Sequence, residues 1–123
     1  MLKQNDGYYW FCLGGSASRT GHVPNGCAPD SPLTVRSSFV ALRRAWTHVI
    51  GVKTKNSLRI YVAGLFAGSK PLPQGADTNR NSASLRIGSY ILQGAHLNGM
   101  VDEVRLYRRA LTDADAEILA RGR

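Results

Sequence analysis

The sequence has few acidic residues and no long apolar run. Eight Asp and Glu stand against 16 Lys and Arg. No stretch of about 18 consecutive apolar residues occurs, so we expect no membrane-spanning helix. The opening residues, Met1 to Asp6, lack the apolar core of a secretory signal. Either the protein stays in the cytoplasm or an upstream segment is missing.

Only two cysteines are present, Cys12 and Cys27. Without further Cys or His at ligand spacing, they do not form a zinc site. They flank a loop rich in Gly, Ser and Pro, and a disulfide that closed this loop would contribute roughly 3 kcal/mol. In a cytosolic protein both thiols would be reduced. The pattern slightly favours a bridge over two free thiols.

The excess of basic residues gives a formal net charge of +8. Such a balance favours acidic partners, including nucleic acid, sulfated sugars and anionic surfaces. Here the basic residues are scattered, and Arg59, Arg86 and Arg105 each lie between apolar neighbours, as outward strand positions do. Solubility therefore explains the charge better than a dedicated acidic partner. Nucleic-acid binding is not expected, because no compact basic stripe occurs.

Runs of strand length, separated by turn residues, dominate the chain up to its last quarter. Alternation is clearest at Leu58, Ile60 and Val62, with Arg59 and Tyr61 facing the other way. Spacing of this kind predicts an antiparallel sandwich or barrel. The predicted strands cover residues 7–13, 33–40, 46–52, 57–62, 65–69, 83–88 and 99–107, with long loops at 14–32 and 71–81.

One helix is predicted near the C-terminus, with Thr112 as its N-cap. Asp115, three residues later, can complete a capping box. Asp113, Asp115 and Glu117 suggest a metal site, but the preference for negative charge at a helix start explains them more simply. The predicted apolar stripe of this helix consists of Ala114, Ile118 and Leu119.

Four segments occur together and in a fixed order: Trp46–Val49, Leu58–Gly64, Ser84–Gly88 and Gly99–Thr112. In this order they resemble the laminin-G-like, concanavalin-A-like jelly-roll family. In that family a polar residue usually precedes the glycine of the turn after the second of these segments, and here Ala63 stands in its place. The resemblance implies an all-β, antiparallel β-sandwich with one short C-terminal helix, as a single domain over residues 1–123. We expect Trp46, Leu58, Ile60 and Val104 to be buried between its two layers.

Domains of this family usually have several strands before the position of Gly7, and those strands pair with the terminal one. The resemblance therefore implies a domain truncated on its N-terminal side, with a sheet edge or an apolar face left uncovered. Uncovered edges recruit other strands, so we expect a homo-oligomer whose partner supplies the cover. A trimmed chain or a truncated gene is the alternative. The family also implies an extracellular or cell-surface location.

Catalytic chemistry is not expected from these residues. Glycoside hydrolases among jelly-roll proteins need two carboxylates across the scissile bond. The adjacent Asp102 and Glu103 would face opposite sides of a strand, so they cannot act together as an acid/base pair within one chain. Asp102 is instead expected to bind loop backbone amides inside the fold. His22, His48 and His96 belong to no recognisable catalytic arrangement, and His48 is expected in the core. A fragment of a glycoside hydrolase is the weaker alternative.

A binding surface is predicted from aromatic and basic residues at strand spacing. Tyr8 and Trp10 share one face of the first predicted strand, and such amphipathic rings either stack on sugars or fill a core and an interface. The second use is the more common. Nearby basic groups could reach carboxylates or sulfates on a polysaccharide. The ligand-contact candidates are Tyr8, Trp10, Arg59, Tyr61, Arg105 and Tyr107.

Calcium is the one cofactor for which the sequence offers ligands. Asp77, Asn79 and Asn81 place oxygen-bearing side chains at alternating positions, and calcium favours such ligands. Many laminin-G-like and pentraxin-like relatives bind calcium at loops near one rim of the sandwich, but this segment does not match those sites residue for residue. A plain Asn-rich turn explains the segment better. No other cofactor is predicted.

The function implied by the family is a non-catalytic binding module that recognises carbohydrate or a protein surface, with calcium as a possible aid. The alternative is a structural or self-assembly domain without a small ligand. Because one fold hosts many functions, this step depends on family analogy.

Overall fold

The computed structural model describes residues 2–5, 7–13, 31–74, 87–88 and 97–122. These residues form two three-stranded antiparallel sheets and one helix. Sheet 1 has the order β1 (Leu2–Asn5), β2 (Tyr8–Cys12) and β3 (Thr34–Val40). Sheet 2 has the order β4 (Val49–Lys53), β5 (Ser57–Val62) and β6 (Leu65–Pro71), and helix α1 spans Asp113–Arg121.

The two sheets pack face to face around an apolar cluster. Leu58 and Ile60 on β5 are fully buried there and contact Val35 of β3, so their predicted burial is confirmed. Gly51 of β4 is needed for this packing, because a Cβ atom at that position would lie 2.5 Å from the Phe11 ring. The predicted antiparallel β-sandwich is confirmed by this arrangement.

Helix α1 covers the outer face of sheet 2. Ile50, Val52 and Tyr61 project from that face and form a second buried cluster with Leu111 and Ala116. Sheet 2 is therefore enclosed on both faces, and each face contributes apolar side chains to one of the two clusters. Only one of these two covers, the opposite sheet, was expected from the alternation of β5.

The helix begins as its sequence predicts. The Thr112 hydroxyl accepts a hydrogen bond from the Asp115 backbone N–H (3.1 Å), and the Asp115 carboxylate accepts one from the Thr112 N–H (2.8 Å). This reciprocal capping box satisfies two backbone donors that the first helical turn leaves open. The predicted apolar stripe is wrong in part, because Ala114 and Ile118 are exposed and Ala116 is the fully buried residue of the helix.

A two-residue turn joins β5 to β6. Ala63 and Gly64 both have positive φ, 52° and 81°, as a type I′ hairpin turn requires. Ala63 is the position at which the sequence departs from the family pattern, and it adopts the left-handed conformation nonetheless. A Cβ atom on Gly64 would lie 2.8 Å from that of Ala120, so the turn also lies directly against α1.

Two predicted core residues are not in the core. Trp46 is 57% exposed, because β4 begins only at Val49 and Trp46 lies in the preceding connection. Val104 is 53% exposed, because the predicted strand 99–107 forms no strand with any residue that the structure describes. The predicted strand 83–88 and loop 14–32 lie mostly outside the described residues. Strand β1, which is rich in polar residues, was not predicted.

Candidate functional site

The predicted ligand-contact residues lie in three separate places. Two of them, Tyr8 and Trp10, lie on β2 of sheet 1. A second pair lies on β5 of sheet 2, beneath helix α1. The third pair lies on the exposed segment that precedes the helix. These three pairs are Tyr8 with Trp10, Arg59 with Tyr61, and Arg105 with Tyr107.

The face of sheet 1 that points away from sheet 2, here called its outward face, holds an arginine stacked on aromatic rings, whereas Trp10, Cys12 and Thr34 of the same face are buried. Arg36 lies opposite Trp10 in the strand register. Its guanidinium carbon is 4.4 Å from the centre of the Tyr8 ring and 5.9 Å from that of Trp10. Both distances are within the range of cation–π attraction. The Arg36 side chain is exposed, Tyr8 is half-buried, and Trp10 keeps only 3% of its surface exposed.

Local structure of β2 and β3 holds this cluster in place. The register shifts between Tyr8 and Trp10, and the buried Ser37 lies at the shift. The Ser37 hydroxyl accepts a hydrogen bond from the Tyr9 backbone N–H (3.1 Å) and donates one to the Phe39 carbonyl (2.7 Å). A bulge of this kind twists a strand and re-aims the side chains beside it.

Trp10 supports this cluster rather than offering a ring face to a ligand, because it is buried. Arg36 itself was missed by the sequence analysis. The signal that could have found it is its position between Val35 and Ser37 on a predicted strand, which places it on the outward face. The sequence does not show that Trp10 lies opposite Arg36, because that pairing is set by the register of β2 and β3.

The second pair has a structural role. Tyr61 is 1% exposed, and its hydroxyl donates a 2.6 Å hydrogen bond to a carboxylate oxygen of Asp113, the first residue of α1. An Arg59 nitrogen lies 3.7 Å from the same oxygen. Burial, followed by the hydrogen bond to Asp113, raises the pKa of Tyr61 above its ordinary value. The prediction that Tyr61 faces outward is wrong, because α1 lies on it.

The third pair lies among exposed charges. Arg105 forms an ion pair with Glu103, and this contact raises the pKa of Arg105. An Asp102 carboxylate oxygen accepts a 2.7 Å hydrogen bond from the Glu103 backbone N–H. Asp102 thus binds a backbone amide, as predicted, but at the surface rather than inside the fold.

A bidentate ion pair joins the end of this segment to the helix. Two Arg109 nitrogens donate to the Asp115 carboxylate at 2.6 and 2.9 Å. This guanidinium, and then the Thr112 backbone N–H, hold the pKa of Asp115 far below its usual range. Asp115 therefore links the cap of the helix to the segment before it.

The calcium candidates Asp77, Asn79 and Asn81 lie outside the described residues. Among the residues that the structure describes, no group of three or more His, Cys, Asp or Glu could hold a metal ion. Cys12 is fully buried at the end of β2 and is disulfide-bonded. Cys27 lies outside the described residues, so the bridge between the two stays a prediction.

In the described part of the chain, no helix is long and apolar enough to cross a membrane. No curated protein matches the sequence. The solved structures include a similar chain, an S-layer domain-containing protein from Clostridium thermocellum ATCC 27405. It is 21% identical, 94% of this chain and 52% of that chain are covered, and the TM-score is 0.48. The present chain thus spans about half of that solved protein.

A family model for laminin G domains of type 3 matches residues 2–117, nearly the whole chain. Its description is the Concanavalin A-like lectin/glucanases superfamily. The resemblance noted in the sequence is confirmed by this match, and the sandwich of two antiparallel sheets agrees with it. The chain therefore belongs to the concanavalin A-like lectin/glucanase superfamily.

Proposed function

We propose that this chain is a non-catalytic binding module that recognises acidic carbohydrate on the outward face of sheet 1. The observation that carries the proposal is the stacking of the Arg36 guanidinium on Tyr8, next to the buried Trp10, at a residue that is exposed as a whole. Of the three places that hold predicted contact residues, this is the one in which an aromatic ring and a basic group meet on paired strands.

The chemistry of this cluster suits a carboxylated or sulfated sugar. A guanidinium is planar and carries its N–H donors in a fork that matches two oxygens of a carboxylate or sulfate. Stacking on Tyr8 restricts the rotation of Arg36, so less freedom is lost when a ligand binds. The half-buried Tyr8 adds an amphipathic ring beside the charge.

The other two places fit this role less well. Tyr61 is buried and bonded to Asp113, so it offers no surface to a ligand. Arg105 and Tyr107 are exposed, but they lie on a segment outside the two sheets. Rigid strands hold a binding surface more accurately than a connecting segment does.

Binding to an array of neutral, carboxylated and sulfated glycans tests the proposal, using the wild-type chain, Arg36→Ala and Tyr8→Ala. We expect binding to the acidic glycans, weakened roughly tenfold or more in Arg36→Ala, because a charge-assisted hydrogen bond contributes about 1.5–3 kcal/mol. Arg43→Ala, at an exposed position in the connection after β3, is the matched control and should bind as wild type.

An array without signal, or equal binding by Arg36→Ala and the wild type, would overturn the acidic-sugar proposal. The sequence analysis named two ligand classes, carbohydrate and a protein surface, and the protein surface would then remain. The same array run with calcium and with a chelator tests the predicted site at Asp77, Asn79 and Asn81. Binding that the chelator leaves unchanged would count against a calcium-assisted mechanism.

A further inference from the structure

Residues 98–109, here called the exposed segment, lie between the sheets and helix α1 in sequence. Every residue of this segment is exposed. Within the described part of the chain, no strand pairs with it, although its sequence predicts a strand. Several of its apolar side chains are open to solvent: Met100 (77%), Val101 (49%), Val104 (53%), Leu106 (80%) and Tyr107 (44%).

A segment whose sequence predicts a strand and whose apolar side chains are exposed is suited to pair with another strand. Its charges indicate which strand would fit. The acids Asp102 and Glu103 come first, and the basic residues Arg105, Arg108 and Arg109 follow. In an antiparallel pair of two identical segments, the acidic part of each copy faces the basic part of the other.

We propose that the exposed segment pairs antiparallel with the same segment of a second copy, about a two-fold axis at Val104. Side chains directly opposite in such a pair lie on the same face, so the numbers of opposite residues have the same parity. Around Val104, Glu103 then lies opposite Arg105 of the second copy, and Val101 lies opposite its Tyr107. Each of these favourable pairs occurs twice, as an isologous two-fold interface requires.

The neighbouring registers are disfavoured by the same residues. An axis at Glu103 places that glutamate opposite itself, and an axis at Arg105 places two arginines opposite each other. Like charges directly opposite destabilise a strand pair. Of these three registers, the order of charges therefore favours the one with its axis at Val104.

The single chain satisfies these charges by bending. Glu103 adopts a positive φ of 52° and forms an ion pair with Arg105 of its own chain. Positive φ is uncommon for a residue with a side chain and does not fit an extended strand. Pairing with a second copy would exchange this contact for the equivalent contact between chains and allow Glu103 to become extended.

Mass measurement by sedimentation equilibrium across the micromolar range tests this pairing in the whole 123-residue chain. We expect a dimer of twice the 13.4 kDa chain mass. Glu103→Arg and Arg105→Glu each create two like-charge pairs and should raise the dimer dissociation constant at least about tenfold. The double variant, Glu103→Arg with Arg105→Glu, restores opposite charges and should return to the wild-type mass.

A mixture of the two single variants separates this interface from the contact within one chain. Each variant alone carries like charges at 103 and 105, but a mixed pair has opposite charges at every contact and should form a heterodimer. Glu117→Arg, on the exposed face of α1, is the matched charge-reversal control and should dimerise as wild type. A wild-type chain that stays monomeric throughout, unchanged single variants, or a mixture that stays monomeric would each overturn the proposal.

Discussion

Strand β5 and the exposed segment have similar sequences and different structures. Both alternate apolar and charged residues, as Leu58-Arg59-Ile60 and Val104-Arg105-Leu106 show. Strand β5 pairs with β4 on one side and β6 on the other, and apolar clusters cover both of its faces. The exposed segment pairs with no described strand, and all of its side chains are open to solvent.

The comparison teaches that alternation of apolar and charged residues is compatible with a strand but is not sufficient to form one. A strand satisfies its backbone N–H and C=O groups only through a neighbour, whereas a helix satisfies them within itself. Sequence patterns report which side chains could face a core. Whether a neighbouring strand is present is decided by residues far away in the chain.

Truncation of one leucine in each region gives the largest difference. Leu58→Ala should lower the free energy of unfolding by about 3 kcal/mol, because Leu58 is fully buried between the sheets. Leu106→Ala, at an 80% exposed position, should change it by less than about 0.5 kcal/mol. Urea denaturation at a concentration where the chain is monomeric measures both. Equal losses would show that the exposed segment is packed as tightly as β5.

The contact between the β5–β6 turn and helix α1 comes next in size. Gly64→Ala introduces a Cβ atom at positive φ and 2.8 Å from the Cβ of Ala120. Gly88→Ala introduces the same strain at a φ of 75°, but the nearest atom is 3.9 Å away. We expect a loss of about 1–2 kcal/mol for Gly88→Ala, and a larger one for Gly64→Ala. If thermal unfolding gives the two variants equal losses, α1 does not lie against the turn.

Helix α1 covers one face of β5 and no face of the exposed segment, and removal of its N-cap should destabilise this helix. Thr112→Ala removes the side-chain oxygen that accepts from the Asp115 N–H, and should cost about 1 kcal/mol. Thr112→Ser keeps an oxygen at that position and is the matched control. Thermal unfolding monitored by circular dichroism measures both. A loss in the Ser variant as large as in the Ala variant would contradict a capping role.

Acid should also destabilise helix α1, because its cap includes the Asp115 carboxylate. The Arg109 guanidinium holds the folded pKa of Asp115 below its ordinary value of 3.8, so folding favours the ionised carboxylate. This contribution is fully present above about pH 4 and is lost as the pH falls towards the folded pKa. Melting temperatures of the wild type should therefore fall below pH 4, and Asp115→Asn should fall less steeply. Parallel curves for the two proteins would contradict the assignment to Asp115.

Features that depend on neighbouring residues were predicted well. Strand β5 has the predicted bounds, 57–62, because its alternation and the turn signals on both sides are local. The capping box at Thr112 and Asp115 was predicted for the same reason. Arg36 was not predicted as part of the site, because its place above Tyr8 depends on a strand register that spans more than 25 residues of chain.

The sequence by itself determined the antiparallel all-β class, strand β5 and the start of the helix, because these follow from side-chain periodicity and from bonds between residues a few positions apart. Only the tertiary structure decided that Tyr61 is buried beneath α1, that Arg36 lies on Tyr8, and that Trp46 and Val104 are exposed. Burial and strand pairing depend on which residues distant in the chain pack against a segment, and no local sequence pattern contains that information.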